Sequence, residues 1–328
     1  MNPLLKTVIV IVLLASCVLV GRELVENALA TSGDSTQGSY DTDTLVFNPH
    51  RPPVRVNHYE KYIAAYGLQK PDDLNNSPSE IIGHTPILNE IQAISKLWEG
   101  NVSDSLLYRP PSGILLHGPP GTGKTTLSRQ IAKYLSSNDT ANVAFLHVSS
   151  DLIENKYQGE GLKFMRGVFT LCAKIEPCVL FFDEIDGVMS KRSNMDQSNV
   201  NNLKTTFLSG FDTLREMNKR VLVIGATNRP ACIDPALMRR LELHFHMDVP
   251  SVNDKCVAIS RLLGGENESY IDIVTEVLPI NATLHDIYSF IRFCVRRQLV
   301  SPDMELCVET LSVLYSEYKT VFKFVNVR

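Results

Sequence analysis

The chain has 328 residues, 44% of them hydrophobic and 21% charged, with a formal net charge of -4. This balance fits one or two globular domains and excludes a disordered chain, and the slight acidity excludes the basic footprint that nucleic-acid binding needs. The seven cysteines form no C-x-x-C pair and lie mostly inside apolar runs, which points to reduced, buried thiols.

The first predicted element is an apolar helix. Val8 to Val20 is apolar apart from Ser16, and the nineteen residues from Pro3 to Gly21 are enough to cross a hydrocarbon core of ~30 Å if Lys6 snorkels to the interface. Residues 3–22 are therefore expected to be a retained single-pass anchor in a lipid bilayer. Two other readings stand beside it: Leu14-Ala15-Ser16-Cys17 resembles a lipoprotein cleavage box, and Ala28-Leu29-Ala30 resembles a signal-peptidase site. Residues 23–75 are polar at 31–38 and proline-stiffened at 48–53, so they read as a linker, with a short helix expected over Tyr59 to Tyr66.

A buried strand, Ile114-Leu115-Leu116, is followed by G-P-P-G-T-G-K-T over 118–125 and then by Leu127, Ile131 and Leu135 at helical spacing. That is the strand, loop and helix a P-loop requires. Glycines at 118, 121 and 123 let successive N–H groups turn toward phosphate oxygens, with the helix N-terminus behind them. Lys124 would reach the β- and γ-phosphates of ATP, and the Thr125 hydroxyl would take a place on Mg2+. An exported chain would meet no ATP, which favours the retained anchor and places the residues after 22 in the cytosol.

Further on, the run V-L-F-F-D-E-I-D over 179–186 buries a central parallel strand and ends in acids, at the edge where open α/β sheets place ligands. Asp183 is the expected Mg2+ ligand and Glu184 the residue that polarises the attacking water. A third strand over 220–226 ends in T-N-R-P, where Asn228 is placed to contact the γ-phosphate or the lytic water. The segment I-D-P-A-L-M-R-R over 233–240 then sets Arg239 and Arg240 at the end of a short helix. In a ring-forming P-loop ATPase such arginines reach into the neighbouring site. Residues 251–328 read as helices, through Val257, Ile259, Leu262 and Leu263, then Ile287, Phe290, Ile291 and Cys294, then an amphipathic stretch over 304–322.

The motifs G-P-P-G-T-G-K-T, F-F-D-E-I-D, G-A-T-N-R-P and D-P-A-L-M-R-R, in this order, resemble an AAA ATPase. The resemblance is strong over 112–250 and is nearest the membrane-anchored extractases of the mitochondrial outer membrane and the peroxisome, in the clade that also holds spastin and katanin. It implies an α/β nucleotide-binding subdomain with a parallel sheet over 76–250 and a small all-α lid over 251–328. It places Pro119, Pro120, Gly121, Thr122, Gly123, Lys124, Thr125 and Thr126 around the phosphates, and Ile82 and Gly83 on the adenine side. Lys156 and Tyr157 match the family's pore loop, which would grip a polypeptide substrate. The implied protein is a homo-hexamer that pulls mislocalised tail-anchored proteins out of the bilayer, with no nucleic-acid partner, on the mitochondrial outer membrane or, alternatively, the peroxisomal or endoplasmic reticulum membrane. Tyr157 is followed by Gln158 and G-E-G, a pattern closer to spastin, so a microtubule-severing ATPase is the rival. Departures at Ile82, His244 and Leu284 keep a third reading, a nucleotide-gated scaffold with little turnover.

Overall fold

The computed structural model describes residues 44–47, 52–69, 74, 82–83, 85–98, 111–138, 143–149, 153, 160–189, 197–262, 268–301 and 307–321. The anchor expected over 3–22 lies outside the described residues. Among those described, no helix is long and apolar enough to cross a membrane. The chain divides into two compact units, with the boundary between Asp248 and Val249.

In the first unit, strands β4 (Gly113–His117), β5 (Ala144–Ser149), β6 (Cys178–Asp183), β7 (Val221–Thr227) and β8 (Leu243–His246) run parallel. With β3 (Leu68–Gln69) at one edge, the sheet order is β3-β5-β6-β7-β4-β8. Its central strands β6 and β7 are apolar up to their carboxyl ends because both faces are covered. Ile114, Leu115, Leu116, Leu180 and Phe181 are all fully buried. Alternation along a strand sends neighbours to opposite faces. Phe182 accordingly joins Phe164, Phe169 and Phe207 on one side, while Phe181 joins Phe145, Ile94 and Ile131 on the other. The first side is built by α1 (His58–Gly67), α4 (Gly161–Lys174) and α6 (Gln197–Glu216), the second by α2 (Thr85–Trp98) and α3 (Lys124–Asn138). Two short helices complete the unit, α5 (Ile185–Met189) after β6 and α7 (Pro235–Met238) before β8.

The sixth strand departs from the sequence reading in two ways. β3 (Leu68–Gln69) pairs antiparallel with β5, Leu68 opposite Leu146, so the sheet is mixed where an all-parallel one is expected. It also belongs to the stretch read as linker. Residues 44–47 and 52–69 of that stretch instead build a small antiparallel pair, β1 (Thr44–Leu45) and β2 (Val54–Arg55), followed by α1 and β3. Phe47, Val56 and Ile63 anchor this segment in the core at 3%, 5% and 2% exposure. These anchors are widely spaced and interrupted by prolines, so no period betrays them. The helix expected over Tyr59 to Tyr66 is present as α1 and opens on a capping box, in which the Asn57 side chain accepts from the Glu60 N–H and the Glu60 carboxylate from the Asn57 N–H. The same buried carboxylate accepts from Thr170 Oγ1 at 2.7 Å and Lys174 Nζ at 2.7 Å, tying α1 to α4.

The second unit is helical, as expected. It consists of α8 (Val252–Leu262), α9 (Glu268–Val277), α10 (Leu284–Val300) and α11 (Val308–Val321). Ile259, Val274, Leu278, Ile287, Phe290, Cys294, Leu311 and Leu314 form its core. Thr283 caps α10 through a second capping box with Asp286, and buried Lys255 donates to the Pro279 and Ile280 carbonyls. Among the described cysteines none is disulfide-bonded. Cys172, Cys178 and Cys294 are buried as expected, whereas Cys232 is exposed because it lies in the one-turn helix Pro230–Cys232 on the surface.

Candidate active site

The phosphate loop leaves β4 at its carboxyl end and enters α3 at Lys124. Gly118, Gly121 and Gly123 have φ of 147°, 78° and 93°. At Gly118 a side chain is excluded twice over, since a Cβ would fall on the Met247 carbonyl oxygen of the chain leaving β8. Thr122 Oγ1 donates to the Pro119 carbonyl at 3.0 Å and pins the loop. The Lys124 ammonium is folded into it, donating to the Gly118 and Pro119 carbonyls at 2.9 and 2.7 Å. Burial pushes its pKa down, and the Asp183 charge pulls the other way. Pro119, Pro120, Gly121 and Thr126 are exposed, while Thr122 is buried and Gly123 and Thr125 are half-buried.

The two motifs converge. Thr125 Oγ1 donates to Asp183 Oδ2 at 3.0 Å across 58 residues of sequence. A hydroxyl and a carboxylate oxygen meeting beside a glycine-lined loop suit Mg2+, a hard cation that takes oxygen ligands. Burial alone would push the Asp183 carboxyl up. The nearby His147 imidazole, the Thr125 hydroxyl and the Glu184 N–H outweigh it and hold the group below the usual carboxylate range, so Asp183 stays ionised. His147 Nε2 lies 3.7 Å from Asp183 Oδ2, too far for a hydrogen bond, and is buried without another partner among the described residues. Glu184 is exposed and adopts φ 51°, left-handed backbone that a glutamate occupies at a cost of about 1 kcal/mol or more. Its N–H donates to Asp183 Oδ1 at 3.1 Å and its carbonyl accepts from Gly187 N–H at 2.9 Å, which together hold the turn.

β7 adjoins β4, with Thr227 opposite His117, so Asn228 leaves the sheet beside the start of the phosphate loop and is exposed there. The Gly118 N–H points to the Thr227 carbonyl at 3.4 Å. Thr227 Oγ1 donates to Asp186 Oδ1 at 2.7 Å and accepts from Arg229 N–H at 2.9 Å, which fixes this turn against α5. The arginine pair splits. Arg239 is exposed, whereas Arg240 donates through Nε and Nη2 to the two Asp212 carboxylate oxygens at 2.8 and 2.6 Å, and through Nη1 to the Ala236 carbonyl at 3.0 Å.

Ile82 and Gly83 are half-buried, Gly83 with φ 73°. Lys156 and Tyr157 lie outside the described residues. Sequence reasoning missed His147, Asp186 and Asp212. Of these only Asp186, the last acid of F-F-D-E-I-D, carried a local signal.

The architecture and the loop define a P-loop nucleotide-binding α/β module. Residues 114–249 match the model of the ATPase family associated with various cellular activities (AAA). Among similar proteins, the outer mitochondrial transmembrane helix translocase of Danio rerio is 34% identical over 220 residues, covering 66% of this chain and 56% of that protein. The Homo sapiens protein of the same name is 32% identical over 226 residues, covering 67% of this chain and 61% of its own length. This chain thus spans less than two thirds of the relatives it matches. Spastin of Ixodes scapularis is 39% identical over 162 residues, covering 49% of this chain and 24% of that protein. In fold, the chain is similar to the FIGL-1 AAA domain crystallised with ADP, with a TM-score of 0.64, 22% identity and coverage of 80% of this chain and 96% of that one.

Proposed function

We propose that this protein is a membrane-anchored AAA ATPase that assembles into a homo-hexamer and uses ATP hydrolysis to pull mislocalised, tail-anchored membrane proteins through a central pore. Residues 3–22 span the bilayer, 41–248 bind and hydrolyse ATP, and 249–328 form the lid. The observation that carries the ATPase reading is the 3.0 Å contact between Thr125 and Asp183, which joins the two halves of the nucleotide motif beside a buried lysine. The cargo and the mitochondrial outer membrane are supported by the relatives named for translocating transmembrane helices there.

The loop N–H groups and Lys124 hold the β- and γ-phosphates, with Ile82 and Gly83 on the adenine side. Thr125 and Asp183 would hold Mg2+, which when bound would neutralise charge on those phosphates. Glu184 takes a proton from the attacking water, Asn228 orients it, and the arginine segment of the neighbouring subunit stabilises the charge that develops. Pore-loop residues Lys156 and Tyr157 grip the extended chain.

Reconstitution tests the reading. The full chain in liposomes, given ATP, is expected to release a tail-anchored model protein into solution, and its Glu184→Gln variant is expected not to. The similarity to Spastin supports the rival severing activity. A protein that cuts microtubules and never extracts the model protein would transfer the assignment to it.

A further inference from the structure

We propose that Arg239 alone reaches the neighbouring copy's nucleotide, and that Arg240 is a positioning residue acting inside its own chain, clamped by α6 so that Arg239 is presented outward. The inference rests on the ring reading above and divides between two residues a role that the sequence gives to both.

Three observations fix the arginine segment. Ile233, Leu237 and Leu241 are each no more than 1% exposed and sink the segment into the same core before, within and after α7. Arg239 follows α7 in helical conformation, so at about 100° per residue it stands roughly 200° around from buried Leu237 and is exposed. The Asp234 carboxylate then caps α7, accepting from Ala236 N–H at 2.8 Å. Lastly, a set of charges on α6 grips the segment along its length. Lys204 Nζ lies 3.9 Å from Asp234 Oδ2, Asp212 takes the Arg240 fork, and Arg215 Nη2 lies 3.5 Å from Glu242 Oε1. Lys204 and Asp212 are eight residues apart and share a helical face, and Arg215 follows Asp212 at i+3. The segment is thus held on both sides of Arg239, at Asp234 before it and at Arg240 and Glu242 after it.

The chemistry of Arg240 fits this role better than a reach in trans. Each of its three nitrogens donates to an acceptor of its own chain, and two of them form the parallel pair that planar guanidinium and carboxylate groups favour. A phosphate brought to Arg240 would meet the Asp212 carboxylate as well, an unfavourable approach of like charges. Arg239 has no such competitor in the segment described. Its exposed guanidinium is free to be ordered by an incoming γ-phosphate, while the backbone beneath it is already ordered, so less freedom is lost on contact.

The test uses the full chain and separates this inference from the ring reading. Arg239→Ala is expected to lower turnover by about 10³ or more, as loss of a finger does, with ATP affinity unchanged. Asp212→Asn touches no nucleotide, yet by loosening the segment it is expected to lower kcat by about 10² with KM for ATP unchanged. Arg240→Asp is expected to be as impaired, and the reciprocal exchange Asp212→Arg with Arg240→Asp is expected to restore most turnover, since the fork can form in either direction. Mixing Arg239→Ala with Glu184→Gln subunits is expected to regain activity in mixed rings.

If mixed rings regain activity but the folded exchange variant stays as inactive as Arg240→Asp, Arg240 itself reaches the neighbour, and this inference fails while the shared site stands. Wild-type turnover in Asp212→Asn overturns it equally and needs no recovery of a double variant. Absence of rescue in confirmed mixed rings removes the shared site and this inference together.

Discussion

Replacing Glu60 by alanine removes the group that docks α1 on α4. Its carboxylate is 1% exposed and accepts from Thr170 Oγ1, Lys174 Nζ and Asn57 N–H at 2.7, 2.7 and 2.8 Å. Breaking a buried ion pair from one side costs about 3–5 kcal/mol. Lys174 is 38% exposed and keeps the Arg55 carbonyl at 3.0 Å, and Thr170 keeps the Gly167 carbonyl at 3.2 Å, so water and these acceptors offset part of the loss. The expected cost is therefore about 2–3 kcal/mol, or a Tm lower by about 5–10 °C for a unit of this size. Glu60→Gln keeps the shape and loses the charge, and should cost about 1–2 kcal/mol. The pH dependence has a definite sign. Burial pushes the Glu60 carboxyl up, but Lys174, the Asn57 N–H and Thr170 outweigh it and leave the pKa below its ordinary 4.5. Its stabilisation is present above that value and is lost as the pH falls through the lower value of the folded state. Thermal unfolding across pH should thus show a wild-type to Glu60→Gln gap that is level from pH 8 to about 5 and narrows below that. An alanine variant melting within about 1 °C of wild type at pH 7 would refute the docking argument, because the change would then sit well under the expected shift.

Glu184→Gln should bind a fluorescent ATP analogue normally and hydrolyse ATP at least ~100-fold more slowly, whereas Lys124→Ala should weaken the binding itself. Gly118→Ala forces a side chain onto the Met247 carbonyl and is expected to abolish nucleotide binding, read by the same titration. Tyr157→Ala should leave ATP turnover near wild type and stop release of the model cargo; unimpaired release would count against the pore-loop assignment. The full chain should resist alkaline extraction from membranes, while a fragment starting at residue 41 should stay in solution; a native N-terminus found at Thr31 would replace the anchor with a cleaved leader.

What the sequence showed of this site was what is local. The phosphate loop and the acids after β6 announce themselves within a few residues, because glycines, a lysine and a strand-terminal carboxylate are each required there. The partners that tune them come from afar. His147 sits in β5 with nothing around it to mark it, and Asp212 looks like any solvated helix acid until the chain brings Arg240 across 28 residues. α1 was legible through its aromatic and alanine run, but its destination was not, since a two-residue strand such as β3 has no period. The helical second unit was readable as helices from Ile287, Phe290, Ile291 and Cys294, which are buried together.

β3 also sets a leash. One edge strand of the sheet is made by the segment arriving from the N-terminus, and the described body reaches back to Thr44, where a reading of 23–75 as linker would begin it near residue 76. On the proposed anchor, residues 23–43 are all that joins the bilayer to that body. At no more than ~3.5 Å per residue, those 21 residues reach at most about 70 Å, against about 180 Å for 53. On that proposal the ATPase would work close over the membrane surface, and a client tail would have to present itself within that short radius to be caught.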